Sequence, residues 1–283
     1  MLWIINHVIS YTYSKPVTLE CHTIKLRPKS DSRQNLQTYN LLIDPKPAFL
    51  TNYNDVENNS LTMVWFEGQH IELRIHAISK VHITNYNPFN FILTKPATIN
   101  LPVSYDAEDL LSLRQYINQK LSKNKAVSDF IQPIINDSKE ETMQFLFGLA
   151  KYIYEHFKKT NRRLGNPKNP EGTISYHKGA CRDLAWLYVV ACRTVGLAAR
   201  FVSGYIAPFN PRRRPALHAW AEVFLPGAGW TAFDPSYGIA ITERHISVTA
   251  SYNSVNTLPI SGTYRGDAIS KMNVHVSLKK SEE

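Results

Sequence analysis

The sequence predicts an α+β protein, with an antiparallel β-sandwich over residues 1–100 followed over residues 101–283 by helices packed on an antiparallel sheet and a C-terminal strand. Three stretches carry this reading. In HIELRIHAIS, Ile71, Leu73, Ile75 and Ala77 alternate with Glu72, Arg74 and His76, the period of a strand with one face in a core. In SKEETMQFLFGLAKYIYEHFKK, Met143, Leu146, Phe147, Ala150, Ile153, Tyr154 and Phe157 recur at helical spacing. In LHAWAEVFLPGAGWTAFDPSYG, two strand-like runs flank a turn signal. At 283 residues and 43% apolar content the chain can bury a core in each part.

Within the first part, LECHTIKLRP, TYNLLIDP and SLTMVWF also read as strands. KSDSRQN and NDVENNS separate them as turns, where Asn tolerates left-handed backbone. From about Tyr105 the pattern becomes helical, and Ser138 with Glu141 is the expected capping box of the Met143–Phe157 helix. The polar stretch TNRRLGNPKNPEGTISYHKG then reads as a surface connection.

Composition excludes several classes. Cys21, Cys181 and Cys192 lie far apart, with neither Cys-x-x-Cys spacing nor nearby paired histidines, which argues against a disulfide framework or structural zinc. MLWIINHVISYTYSK is not a basic leader followed by an apolar run, and no stretch approaches the roughly 20 apolar residues of a membrane helix, so a cytoplasmic protein without membrane partners is expected. The net charge of +9 is scattered except for KKTNRR (158–163) and PRRRP (211–215), and no nucleic-acid-binding motif accompanies it. PRRRP precedes the strand carrying His218, at the rim of any cleft there, and is either a solvated loop or an attractor of carboxylate-bearing peptides. No acidic loop has calcium-binding spacing, so neither metal nor organic cofactor is expected.

The chemical question centres on GACRDLAW (179–186). Leu184, Tyr188, Ala191 and Val195 continue a helical stripe that Gly196 ends, so Cys181 falls in the first turn of a helix of about four turns. Free N–H groups and the positive dipole end stabilise a thiolate there, and the Cys181 N–H is a candidate oxyanion donor. Cys192, roughly 16 Å further along that helix, is out of reach and reads as a small apolar residue. Taken alone, Cys181 reads as packing too, and a nucleophile needs a base.

His218 supplies a candidate base. The strand Leu217–Leu225 has an apolar odd-numbered face, and the turn at PGAG brings WTAFDP back alongside, with Asp234 near His218. A four-residue loop would put the two on opposite faces. An odd loop or one bulge puts them on the same face, and a five-residue loop is expected to set Asp234 opposite Trp220 and diagonal to His218, within side-chain reach.

Together, KGACRDLAWLYVVACRTVGLAARFVSGYI and HAWAEVFLPGAGWTAFDPSYG resemble the core of the bacterial transglutaminase-like superfamily, papain-like cysteine enzymes. YTYSKPVTLECHTIKLRP with HIELRIHAISKV is similar to the β-rich N-terminal region that accompanies this core, and TERHISVTASYNSVNTLPISGTYRG with MNVHVSLKK is similar to its C-terminal end. The resemblance implies that Cys181 is the nucleophile, His218 the general base and acid, and Asp234 the residue that orients the imidazole. It implies a cofactor-free enzyme that cleaves or transfers an amide bond of a peptide or protein through a thioester. Trp220 is a candidate cleft wall, Arg182 a candidate substrate contact, and Asp183 a tie to the neighbouring loop. Two other readings compete: a non-catalytic interaction module, against which the complete triad counts, and a thiol redox protein, which lacks a resolving cysteine near Cys181.

Overall fold

The computed structural model describes residues 1–84, 87–117, 124–162, 165–209 and 215–281. The N-terminal part is a β-sandwich. Strand β1 (Leu2–Leu19) pairs with β6 (His70–Ile83), which pairs with β3 (Gln34–Asp44), all antiparallel. The second sheet contains β2 (His22–Ile24), β4 (Phe49–Asn54) and β5 (Ser60–Trp65). Period-two burial along β1 and β6 sends Ile9, Leu73, Ile75 and Ala77 into the gap between the sheets, where Ile24, Val64 and Phe66 meet them. Ile71, expected on that face, is 61% exposed, because it lies at the end of β6 where the ladder with β1 breaks between Thr12 and Val17. Asn58, in the expected turn, has φ 56°.

Next come α1 (Ala107–Ile117), α2 (Lys125–Asp137) and α3 (Thr142–His156). The expected capping box is not formed. Ser138 caps the C-terminus of α2 instead, and Glu141 is the N-cap of α3 without a side-chain capping bond. The buried face of α3 is Thr142, Phe145, Leu146, Leu149, Ala150 and Ile153, rotated from the expected stripe, so that Tyr154 is 51% exposed.

A two-residue strand β7 (Lys158–Lys159), helix α4 (Pro170–Tyr176) and β8 (Lys178–Gly179) lead into α5 (Cys181–Thr194). The second sheet-bearing unit is built from β9 (Ala199–Ile206), β10 (Ala216–Leu225), β11 (Gly229–Asp234), β12 (Ile239–Ala240) and β13 (His245–Ser251), in the order β12-β11-β10-β9-β13. Ala219, Ala221, Val223 and Leu225 of β10 share a core with Leu184, Leu187, Tyr188 and Ala191 of α5.

The chain then returns to the sandwich. β14 (Ile260–Ser261) pairs with β2, and β15 (Tyr264–Arg265) and β16 (Ser270–Ser281) pair with β1. The C-terminal strand expected within residues 101–283 thus completes the N-terminal sheet. Trp3, Ile5, Val81 and Ile83 of that sheet pack on Tyr205, Ile246 and Val248, joining the two parts through a shared core. No helix among the described residues is long and apolar enough to cross a membrane.

Candidate active site

The β10–β11 turn decides whether His218 and Asp234 meet. Leu225 pairs with Gly229 and Phe224 with Trp230, leaving a loop that is odd, as the sequence required, but of three residues and not the expected five, and it is this three-residue length whose register leads to Trp220. Gly227 sits there at φ +91°, a conformation that strains any residue with a Cβ. Continuing the register sets Asp234 opposite Trp220, and Asp234 Oδ2 accepts a 2.6 Å hydrogen bond from His218 Nε2. Both side chains are buried. With Nε2 so engaged, Nδ1 is the ring nitrogen left for Cys181, whose thiol feels the His218 charge.

Cys181 is the first residue of α5 and is half-buried. A first-turn N–H has no acceptor within its own helix, so the Cys181 N–H meets the requirement for an oxyanion donor. The helix start is fixed by Asp183, whose Oδ2 accepts the Ala180 N–H at 2.9 Å. Its Oδ1 accepts Arg162 Nη2 at 2.5 Å and the Lys168 N–H at 2.8 Å, tying down the preceding loop as the sequence suggested. Arg182 donates to the carbonyls of Gly165 (2.5 Å) and Arg162 (3.0 Å), so its guanidinium braces that same loop.

The charges support a thiolate–imidazolium pair. Burial alone would lower the pKa of His218, but the Asp234 and Cys181 charges and their hydrogen bonds outweigh it and push it up to about 10. Burial would raise the Cys181 pKa, and His218 outweighs this to bring it below the ordinary thiol value. Asp234 is held below the usual carboxylate range: burial opposes this, and His218 and His245 override it.

His245 is the site residue that sequence reasoning missed. Its Nε2 lies 3.1 Å from the same Asp234 oxygen, and its Nδ1 accepts the Thr242 N–H at 3.1 Å. A ring nitrogen that accepts carries no proton, so the proton is on Nε2 and His245 is a neutral donor to Asp234. Burial, which lowers its pKa, keeps it so. Asp234 Oδ1 meanwhile accepts the Ser236 N–H at 2.8 Å, so both carboxylate oxygens are anchored. The only sequence signal was a histidine on the strand after the triad candidates. Its reach to Asp234 depends on β13 crossing to the far edge of the sheet, beside β9.

His218, Asp234 and His245 offer donor atoms close enough to suggest a metal. The 2.6 Å contact is instead that of a charge-assisted hydrogen bond. Bonds of ~2.0–2.2 Å to a tetrahedral zinc hold donors about 3.4 Å apart.

Trp220, expected to wall the cleft, is fully buried and has to be reassigned. It lies beneath the site, its ring 5.4 Å from that of His245 and 6.3 Å from that of His218. The even-numbered face of β10 is therefore a second core, which Trp220 forms with Val202, Ala232, Ile241 and Ala250. Cys192 is buried, its thiol pushed well above the ordinary value by burial. PRRRP falls, except for Pro215, outside the described residues.

Comparison with known proteins agrees with this architecture. Residues 128–235 match the sequence model of the transglutaminase-like superfamily, and residues 4–82 that of the bacterial transglutaminase-like N-terminal region. The chain is 23% identical to an uncharacterized protein of Mycobacterium leprae, with 97% of each chain covered. It is 26% identical to one of Mycobacterium bovis over 91% of this chain and 86% of the relative. A candidate cysteine protease from Cytophaga hutchinsonii superposes with a TM-score of 0.71 at 16% identity, covering 100% of this chain and 92% of that one, a likeness of fold. The chain is therefore a bacterial transglutaminase-like N-terminal region joined to a core of the transglutaminase-like superfamily.

Proposed function

We propose that the protein is a cysteine-dependent acyl-transfer enzyme acting on an amide bond of a peptide or protein substrate. One observation carries the reading: His218 is bonded to a buried carboxylate at 2.6 Å and is coupled electrostatically to a thiol at a helix N-terminus. In this reading the Cys181 thiolate attacks the amide carbon, and the developing oxyanion is met by the Cys181 N–H. The C–N bond breaks as His218 gives its proton to the departing amine, leaving a thioester. Water or a second amine then attacks the thioester, His218 takes its proton, and the thiolate leaves. Water as acceptor gives a protease or amidase; an amine gives a transglutaminase. A reducing cytoplasmic setting suits a free nucleophilic thiol and belongs to the proposal.

The test is the pH dependence of Cys181 alkylation by iodoacetamide, read by mass spectrometry, in wild type and His218→Ala. Rapid labelling below pH 7 that collapses in the variant supports the ion pair. Labelling only above pH 8, unchanged by the substitution, would overturn it. Acylation of Cys181 by p-nitrophenyl acetate, lost in Cys181→Ala, tests thioester formation directly.

A further inference from the structure

A carboxylate turns easily about its Cβ–Cγ bond, so one hydrogen bond gives Asp234 a pivot and a second gives it a direction. The first is the Ser236 N–H, which the adjoining turn holds 2.8 Å from Oδ1. The second is His245 Nε2, 3.1 Å from Oδ2, the same oxygen that accepts His218 Nε2 at 2.6 Å. Asp234 and His245 are both buried, so solvent does not compete for that oxygen.

His245 is itself fixed in place. Its Nδ1 accepts the Thr242 N–H, and its ring meets the Trp220 ring edge-on, at an interplanar angle of 82°. The strand that carries it is clasped by the N-terminal part. The Gln34 carboxamide donates to the Ser247 carbonyl at 2.9 Å and accepts the Ser247 N–H at 2.8 Å, and Asn59 does the same at Ala250, at 2.9 Å each way. β13 is the last strand of its sheet, and these two side chains bond its outer edge as a neighbouring strand would. Of the charged and titratable groups around the His245 ring, Asp234 and His218 face it on the site side. Behind it, Arg33, which is paired with Glu222, and Glu243 line with it a cavity of about 10 Å³, too small for a ligand larger than water.

We infer that His245 is a positioning residue for the proposed acyl transfer: its bond to Oδ2 holds the Asp234 carboxylate in the plane that keeps His218 Nδ1 directed at Cys181. This rests on the acyl-transfer reading and adds a residue outside its triad. Without that donor the carboxylate turns about its one remaining anchor, the bond to His218 weakens, and the imidazolium loses support. The N-terminal part thereby shares in the chemistry, because Gln34 and Asn59 hold the strand from which His245 projects.

The test pairs two substitutions. His245→Gln keeps an amide N–H where Nε2 stood, whereas the shorter His245→Asn can still accept the Thr242 N–H but leaves Asp234 Oδ2 without its donor. The His218 ring is titrated by nitrogen NMR in the Cys181→Ala background, where its pKa reports on Asp234 and not on a thiolate. That pKa should fall by about 1 or more in His245→Asn and hold within about 0.3 in His245→Gln. With Cys181 present, iodoacetamide labelling at about pH 6 should slow about tenfold in His245→Asn and less than about twofold in His245→Gln. An unchanged or raised His218 pKa in His245→Asn, or equal falls in both variants, would overturn the inference; a merely structural role lowers Tm and leaves the pKa where it was. The wild type supplies a measurement that needs no variant to fold: at pH 7 His245 should be the neutral Nε2–H tautomer, and the Nδ1–H tautomer would sink the idea. Wild-type Cys181 that fails to label at about pH 6 while the His218 shifts appear as expected counts against the acyl-transfer reading alone, and the hold of His245 on Asp234 stands.

Discussion

Glu222 lies four residues beyond His218 on β10 and anchors the strand that carries it. It is 1% exposed, its Oε1 accepting Arg33 Nη2 at 2.8 Å and its Oε2 accepting Arg200 Nε at 2.7 Å. Arg33 comes from the N-terminal part, so this ion triad clamps the candidate catalytic strand to the sandwich. Burial would raise the Glu222 pKa, but Arg200 and Arg33 override it and hold it at about 2, against 4.5 ordinarily. A carboxylate depressed in the folded state contributes stability that is present above its unfolded pKa and lost as pH falls through the folded one. Here the window runs from about 4.5 down to about 2, and the shift corresponds to about 3 kcal/mol at pH 7. Glu222→Gln removes that contribution and takes the shared carboxylate charge from between two largely buried guanidinium groups. The expected loss of about 3 kcal/mol lowers Tm by about 6–9 °C at pH 7. Calorimetry of both proteins at pH 7 and pH 3 measures it, and the gap at pH 3 should be less than half that at pH 7. A gap below about 1 kcal/mol, or one that does not change with pH, would refute the reasoning.

Three further outcomes are expected. Asp234→Asn removes the charge that supports the imidazolium, and acylation of Cys181 at pH 7 should slow by about 100-fold or more, with retained activity in a nitrophenyl ester assay as the contrary result. Gly204→Ala places a Cβ 2.2 Å from the Ile246 carbonyl oxygen and 2.6 Å from the Trp220 ring. Thermal unfolding should therefore show a loss of about 2 kcal/mol or more, since backbone on one side and a packed indole on the other leave no room to yield. Cys192 should resist iodoacetamide at pH 8 in the native protein and react only after denaturation, whereas Cys181 reacts in both states; peptide mapping distinguishes the two.

The sequence by itself determined the elements and the chemistry they could carry. Period-two alternation marked β6, the stripe from Leu184 to Val195 marked α5 with Cys181 at its start, and parity arithmetic showed that joining His218 to Asp234 takes an odd turn or a bulge. These are local matters, set by backbone period and by residues a turn apart. Tertiary structure decided what depends on elements distant in sequence. β10 is the middle strand of its sheet, with α5 on one face and a second core on the other, so Trp220 is buried where alternation alone allowed a cleft wall. Ser138 caps the helix before the one it was expected to start, because two helix ends share that short segment. The first and last strands pair from Leu2↔Ser281 to Tyr13↔Ser270, and no period within either announces the other. His245 reaches Asp234 for the same reason: hydrogen bonds between strands fix register only after the chain has folded, and whether a side chain serves a site depends on what the fold brings opposite it.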